Sequence, residues 1–496
     1  MKLQHSFITV ACISILSAQQ PKPTQSGERT SVDLTVYNAN FALIREERPI
    51  TFVKGLNTII VPEIPATIDG TSLHFASLTD PAGVKVLEQN FQYDLIHHAK
   101  LLEKYVGKEV EFVRLDESTK KEFTVIGKLL ATGWQAQPGS NQYFYGGQML
   151  AEINGKLEIA PAGRLILPPS IEGLILKPQL QWLMNATKAG LHKTEISYIA
   201  NQLSWSCNYV AVMNKDDNAV DLTGWVTLTN NSGTTFADAG LKLVAGDVNR
   251  IQEDVRSGRM YAKSMAVDEA AQPQFQQKEL FEYKLYALQR KTDLANNETK
   301  QIELTSGHNI AAKKVFVYDG LENQWRWWVN NTGYREQGSF GQQSNQKVGV
   351  FVMFKNEEKA GLGIPLPKGK VRVYKKDDES KEQFIGEDEI DHTPKDEELK
   401  LYLGNAFDIV GSRVQKDFRS VVSGHVYEET FEVKLRNHKK EEVQVLVCEH
   451  PWRWSEWEIK KNSESWEKVD QSTIKFVVRI KKDEEKVLTY TIRYTW

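Results

Sequence analysis

At 496 residues the chain is longer than one hydrophobic core organises, and about three domains are expected. Its 41% hydrophobic and 26% charged residues are those of an ordinary globular protein. With 62 basic against 65 acidic residues, a net charge of −3 gives no electrostatic footing for nucleic acid or an anionic membrane surface.

The N-terminus reads as an export signal over residues 1–18. Lys2 supplies positive charge, residues 7–18 form a short apolar run, and Ser17 and Ala18 precede a polar stretch. Such a run is too short to span a bilayer as a helix. Cleavage is expected after Ala18. Val10-Ala11-Cys12 resembles a lipoprotein box, but Thr9 replaces the expected aliphatic residue and the apolar run continues past Cys12. Lipid attachment is therefore the secondary expectation. No later stretch is long and apolar enough for a membrane helix, so the mature chain is expected in the periplasm, the cell envelope or the exterior, with no transmembrane segment. Cys207 and Cys448 then remain. They are too few for a disulfide framework and are expected as two separate thiols.

Residues 19–30 form a polar linker, and an N-terminal β-domain is expected over 31–190. Alternation predicts strands from Val32, over 56–61, 72–78 and 84–90. At 94–106 the period changes to helical: Asp94 suits an N-cap, Gly107 the C′ position, and Leu95, Ala99, Leu102 and Val106 share a face. Short strands follow over 108–115, 123–131, 148–153 and 156–159, with a two-residue Asn154-Gly155 hairpin turn. They predict a small barrel inserted over 107–168. Residues 174–190, with Trp182, read as a connector.

From 191 to 496 the pattern predicts an Ig-like β-sandwich region. Leu222, Gly224, Val226 and Leu228 alternate with Thr223, Trp225, Thr227 and Thr229, and Asn-Asn-Ser-Gly ends the run as a hairpin turn. Val-x-Leu-x-Asn recurs at Val226 to Asn230 and Val433 to Asn437, which predicts an architecture that repeats. Residues 252–278 lose all periodicity and read as a mobile loop. Strands are expected over 300–304 and 314–318. Residues 323–345 interrupt the pattern as a polar, Trp-containing loop. Strands return over 349–354, 371–375, 383–390, 426–436, 443–449, 474–480 and 487–494.

Several motifs occur in order. They are residues 36–48 (Val-Tyr-Asn-Ala-Asn-Phe-Ala-Leu-Ile-Arg-Glu-Glu-Arg) and 222–250, which end in Leu-Val-Ala-Gly-Asp-Val-Asn-Arg. Val371-Arg-Val-Tyr374 follows with residues 384–395, then 403–408 (Leu-Gly-Asn-Ala-Phe-Asp) and 427–437. Together they resemble bacterial exported proteins carrying domain of unknown function 4139, and, distantly, the corresponding domain of mucoidy inhibitor A-like proteins. The latter place a coiled coil ahead of the domain, and this chain has no such heptad run. The resemblance implies an envelope location and a β-rich fold, and it supplies no catalytic residues.

Candidate chemistry is sparse. Glu387, Asp388, Glu389, Asp391 and His392 form the densest acidic cluster. They would suit a metal or an acid–base pair, but alternation splits them between two faces, and an Asp-His-Thr-Pro turn explains their composition. His97-His98 lacks the i,i+4 spacing of a zinc helix, and His450 has no second histidine. Gly-Ser339-Phe-Gly is not a nucleophile elbow, and no phosphate loop or dinucleotide fingerprint occurs. No cofactor and no metal is expected. Aromatics are the better lead. Trp325, Trp327 and Trp328 lie in the 323–345 loop, and Trp452, Trp454, Trp457 and Trp466 follow Pro451. Indole faces stack on sugar rings or partner surfaces. The expected function is a non-catalytic envelope protein that contacts a polymer or protein partner through Trp325, Trp327 and Trp328. The alternative is an envelope glycan or peptide hydrolase using the carboxylates of residues 387–391.

Overall fold

The computed structural model describes residues 23–92, 98–136, 143–168, 177–246, 248, 274–280, 283–338 and 344–496. The fold is all-β, with only two short α-helices among the described residues, α1 (His98–Glu103) and α2 (Gln324–Val329). No helix of the described residues is long and apolar enough to cross a membrane.

An eight-stranded and a thirteen-stranded sheet carry most of the chain. Within them one arrangement occurs twice. In the first module, Phe236–Ala245 runs parallel to Ser31–Tyr37, which pairs antiparallel with Phe41–Phe52, which pairs with Gly190–Asn201. In the second, Val443–Glu449 runs parallel to the end of Glu298–Asp319, which pairs antiparallel with Lys347–Lys355, which pairs with the start of Glu398–Val422. The companion strands match as well. Leu203–Met213, Ala219–Asn230 and the start of Glu298–Asp319 form one ladder. The end of Glu398–Val422, Val426–Asn437 and Glu484–Thr495 form its counterpart. The repeat hinted at by Val-x-Leu-x-Asn is thus a repeat of whole sandwiches. Strict alternation fills their interiors: Leu222, Val226 and Leu228 are buried in the first, and Phe431, Val433 and Leu435 in the second.

Three sequence expectations change here. Asn-Asn-Ser-Gly does not turn a hairpin. Ala219–Asn230 pairs with its neighbours in the thirteen-stranded sheet, whereas Phe236–Ala245 pairs in the eight-stranded one, so residues 231–235 arch from one sheet to the other. The 174–190 connector contains a core strand, Gln179–Ala186, at the centre of a four-stranded sheet, with Leu180, Trp182 and Met184 buried. The predicted strands 300–304 and 314–318 are one strand, Glu298–Asp319, bent by ladder irregularities rather than broken.

The 107–168 insertion is an open five-stranded sheet and not a barrel. Its edge strands, Lys156–Ile159 and Arg164–Ile166, are too short to meet, and they pair only inward. One face carries Val110, Phe112, Leu129 and Ile153 and is covered by Leu101 and Tyr105 from α1 and its exit instead of by a returning strand. Asn154 and Gly155 both have positive φ, as a type I′ turn requires. Ala99 and Leu102 of α1 are buried as the spacing predicts, but Val106 is 43% exposed because the helix ends at Glu103 and Tyr105 takes the inward place. The start of the predicted helix lies outside the described residues. So does most of the predicted loop 252–278, whose end, Phe275–Leu280, is a strand.

Candidate functional site

The site forms at one end of the second sandwich, from two connections. In the first module, Ser31–Tyr37 and Phe41–Phe52 are joined by residues 38–40 alone. In the second, the matching connection is residues 320–346, which hold α2 and a 3-10 turn, Thr332–Tyr334. The predicted Trp loop is therefore an elaboration of a tight turn. Its neck is fixed. The Asn345 N–H donates to the Gly320 carbonyl at 3.0 Å, and Tyr318 Oη donates to the Asn345 carbonyl at 2.8 Å. Asp319 Oδ1 accepts the N–H groups of Leu321 and Glu322 at 3.0 and 2.7 Å and starts the turn into α2.

The second connection leaves Val443–Glu449 and carries His450, Trp452 and Arg453 under α2. His450 Nε2 lies 3.1 Å from Asp319 Oδ2, and its Nδ1 lies 3.2 Å from the Ser472 carbonyl. Both ring nitrogens are thus engaged by partners of the fold, which fixes the ring under α2. The Trp325 ring stacks on His450 with centroids 4.6 Å apart and planes 11° apart. Trp328 leans on buried Trp452 at 5.1 Å, and Trp452 lies over the Arg453 guanidinium at 4.5 Å. Arg453 is fully buried. Its Nη1 donates to the carbonyls of Tyr334 and Arg335 at 3.1 and 2.8 Å, and its Nη2 to Glu429 at 2.6 Å. A second buried pair lies in the same sandwich, with Arg413 Nε bonded to Glu449 at 2.8 Å and Tyr490 donating to the same carboxylate.

The three predicted tryptophans therefore divide. Trp325 and Trp328 are packing residues of the segment as much as surface. Trp327 is 56% exposed, touching only the Tyr334 ring at 5.2 Å among the ring contacts described. An open cleft of about 350 Å³ runs beside α2, lined by Asp319, Glu322, Asn323, Trp325, Arg326, His450 and Thr473. Sequence reasoning missed Asp319 and Arg453. The signal was their position: each falls at or just after a strand end, where alternation stops and charge sits beside aromatic residues.

The acidic cluster is elsewhere. Glu387 is bonded to Lys370 at 2.9 Å, which holds its carboxyl below the ordinary range, with Arg372 at 3.4 Å. Asp388 accepts the N–H of Tyr402 at 2.7 Å. Thr393 Oγ1 donates to the Asp391 carbonyl at 2.8 Å, as the turn reading predicts, whereas the Asp391 carboxylate lies 3.7 Å from Lys368 Nζ and His392 Nδ1 accepts the Lys368 N–H at 3.1 Å. None of these residues lines the α2 cleft. No group of three or more metal-ligating side chains occurs among the described residues. Cys207 is buried on the strand face of Trp205 and Tyr209, and both cysteines are unpaired.

Compared with protein-family models, the chain matches none. Among curated proteins, no match is found.

Proposed function

We propose that this is an exported, non-catalytic envelope protein that binds a polymer or protein partner through the α2 surface, with Trp327 as its principal contact. One observation carries the reading. Helix α2 buries none of its residues, yet buried Arg453 and the His450–Asp319 pair hold its segment to the sandwich. Core formation does not need this segment, because the first module closes the same connection with residues 38–40. A rigid aromatic surface fixed on a scaffold is what recognition requires. The resemblance to exported proteins with domain of unknown function 4139, and the signal-like residues 1–18, support the envelope location. The Glu387 to Asp391 carboxylates, tied to lysine, arginine and backbone partners, give the hydrolase alternative little support.

The test has two parts. Mass spectrometry of protein recovered from a bacterial host should find Gln19 as the first residue. Cosedimentation with isolated envelope material should retain the wild type and lose Trp327→Ala, whose thermal midpoint should stay unchanged. Equal retention of both would remove the α2 surface from the function.

A further inference from the structure

The chemistry around α2 narrows the partner further, and this step rests on the binding reading above. We infer that the α2 surface takes a neutral pyranose chain. The exposed indole of Trp327, tilted 38° to the Tyr334 ring, offers an aromatic face to the C–H side of a sugar ring. The groups around it are hydrogen-bonding and mostly uncharged. Asn323, Gln324, Asn330 and Asn331 are exposed along the same segment, with Arg326 beside them. Planar carboxamide and guanidinium groups match adjacent ring hydroxyls, each able to donate and accept.

Other ligand classes fit less well. A protein hot spot is a dry, well-packed apolar pocket. Here the helix buries nothing, and apart from the tryptophans Val329 is the only exposed large apolar side chain on it. An apolar small molecule needs an apolar cleft, but the adjoining one, which Trp327 does not line, has Asp319, Glu322, Asn323, Arg326, His450 and Thr473 around the Trp325 indole. An anionic polymer would meet the carboxylates of Asp319 and Glu322 against the one guanidinium of Arg326. An uncharged chain avoids that repulsion and still offers hydroxyls to the exposed Asn323, Gln324 and Arg326.

The experiment titrates the full mature protein with cellohexaose, maltohexaose and N-acetylchitohexaose, and with an oligogalacturonate of matched length, reading tryptophan fluorescence and calorimetric heat. At least one neutral oligomer should bind saturably and displace the protein from envelope material, while the oligogalacturonate binds more weakly. Trp327→Ala should weaken the neutral oligomer roughly tenfold or more, and Asn323→Ala should weaken it as well, with both variants melting like the wild type. If envelope retention depends on Trp327 but no neutral oligomer binds or displaces, the sugar assignment is overturned and the binding surface stands. Tighter binding of the oligogalacturonate also overturns it. Retention indifferent to Trp327 removes both readings together.

Discussion

Asn230 and Asn437 hold the same clasp in the two modules. Asn230 Nδ2 donates to the carbonyls of Thr234, Leu294 and Ala295 at 2.9, 3.3 and 3.0 Å, and its Oδ1 accepts the Ser232 N–H at 3.1 Å. Asn437 Nδ2 donates to the carbonyls of Glu441, Ile480 and Lys481 at 2.8, 3.2 and 3.0 Å, and its Oδ1 accepts the Lys439 N–H at 3.0 Å. Even the next turn matches, with Glu298 accepting the Ala295 N–H and Glu484 the Lys481 N–H. Where the chain arches between sheets, the ladder stops and main-chain groups lose their partners. A carboxamide, with two donors and an acceptor, replaces them.

Asn230→Ala and Asn437→Ala should therefore each cost about 1–3 kcal/mol, the penalty for stranding buried polar groups. The two clasps share no partner, so the double variant should lose the sum. Asn→Asp at either site should be worse, because an oxygen would then face the carbonyls. Urea denaturation checks all of these, and a clasp whose loss leaves the midpoint unmoved is not a clasp.

Arg453→Met should be more damaging. It strands the Glu429 carboxylate in the interior, a loss of about 3–5 kcal/mol. Glu429→Gln in the same chain should restore much of the stability, because the remaining group is neutral and can still accept from Gln415, which bonds Glu429 at 2.7 Å. The rescued double variant should still bind poorly at α2, since the Tyr334 and Arg335 carbonyls keep no guanidinium. Denaturation and envelope cosedimentation on the same three proteins separate the two effects.

Acid should weaken the second sandwich through Glu428. Arg419 first, and then Arg493, pull its carboxyl below the ordinary value of 4.5 against the burial that would raise it. A group depressed in the folded state adds stability that is complete above its unfolded value and is lost as pH falls through the lower folded value. Glu428→Gln should consequently be less stable than wild type at neutral pH, with the gap closing as pH falls below the ordinary carboxylate value of 4.5. Parallel melts across that window read the difference directly.

The thiols should be silent in the native protein. Burial pushes Cys207 up to about 12 and Cys448 up to about 11, so neither forms much thiolate near neutrality. Ellman titration of unreduced protein lacking residues 1–18 should find both thiols after denaturation and almost none before. Finding none after denaturation would mean a disulfide.

Alternation is a property of one segment, so strands such as Val426–Asn437 and Thr473–Ile480 were legible, as was the Asn154-Gly155 turn. The destination of a strand is not local. Nothing in Asn-Asn-Ser-Gly says whether the next strand returns beside Ala219–Asn230 or crosses to another sheet; the answer lies in carbonyls of Leu294 and Ala295, far along the chain. The strand of Trp182 is hidden for a related reason: Leu180, Trp182 and Met184 alternate, but the run follows residues that carry no period and its place between two other strands is set by distant pairing. At the site, the three tryptophans were visible as composition, but their division was not. Trp328 packs on Trp452, and the segment is held by Arg453, neither of which adjoins it in sequence.

The strand Glu298–Asp319 belongs to both sandwiches. Its first part completes the ladder beside Ala219–Asn230, and its remainder opens the second module beside Lys347–Lys355. A linker between modules would act as a swivel; a strand hydrogen-bonded along its length acts as a strut. A pull on the aromatic surface at its end would load the ladders of both modules in shear, and the standoff between that surface and the first module would be set by the rise of one strand.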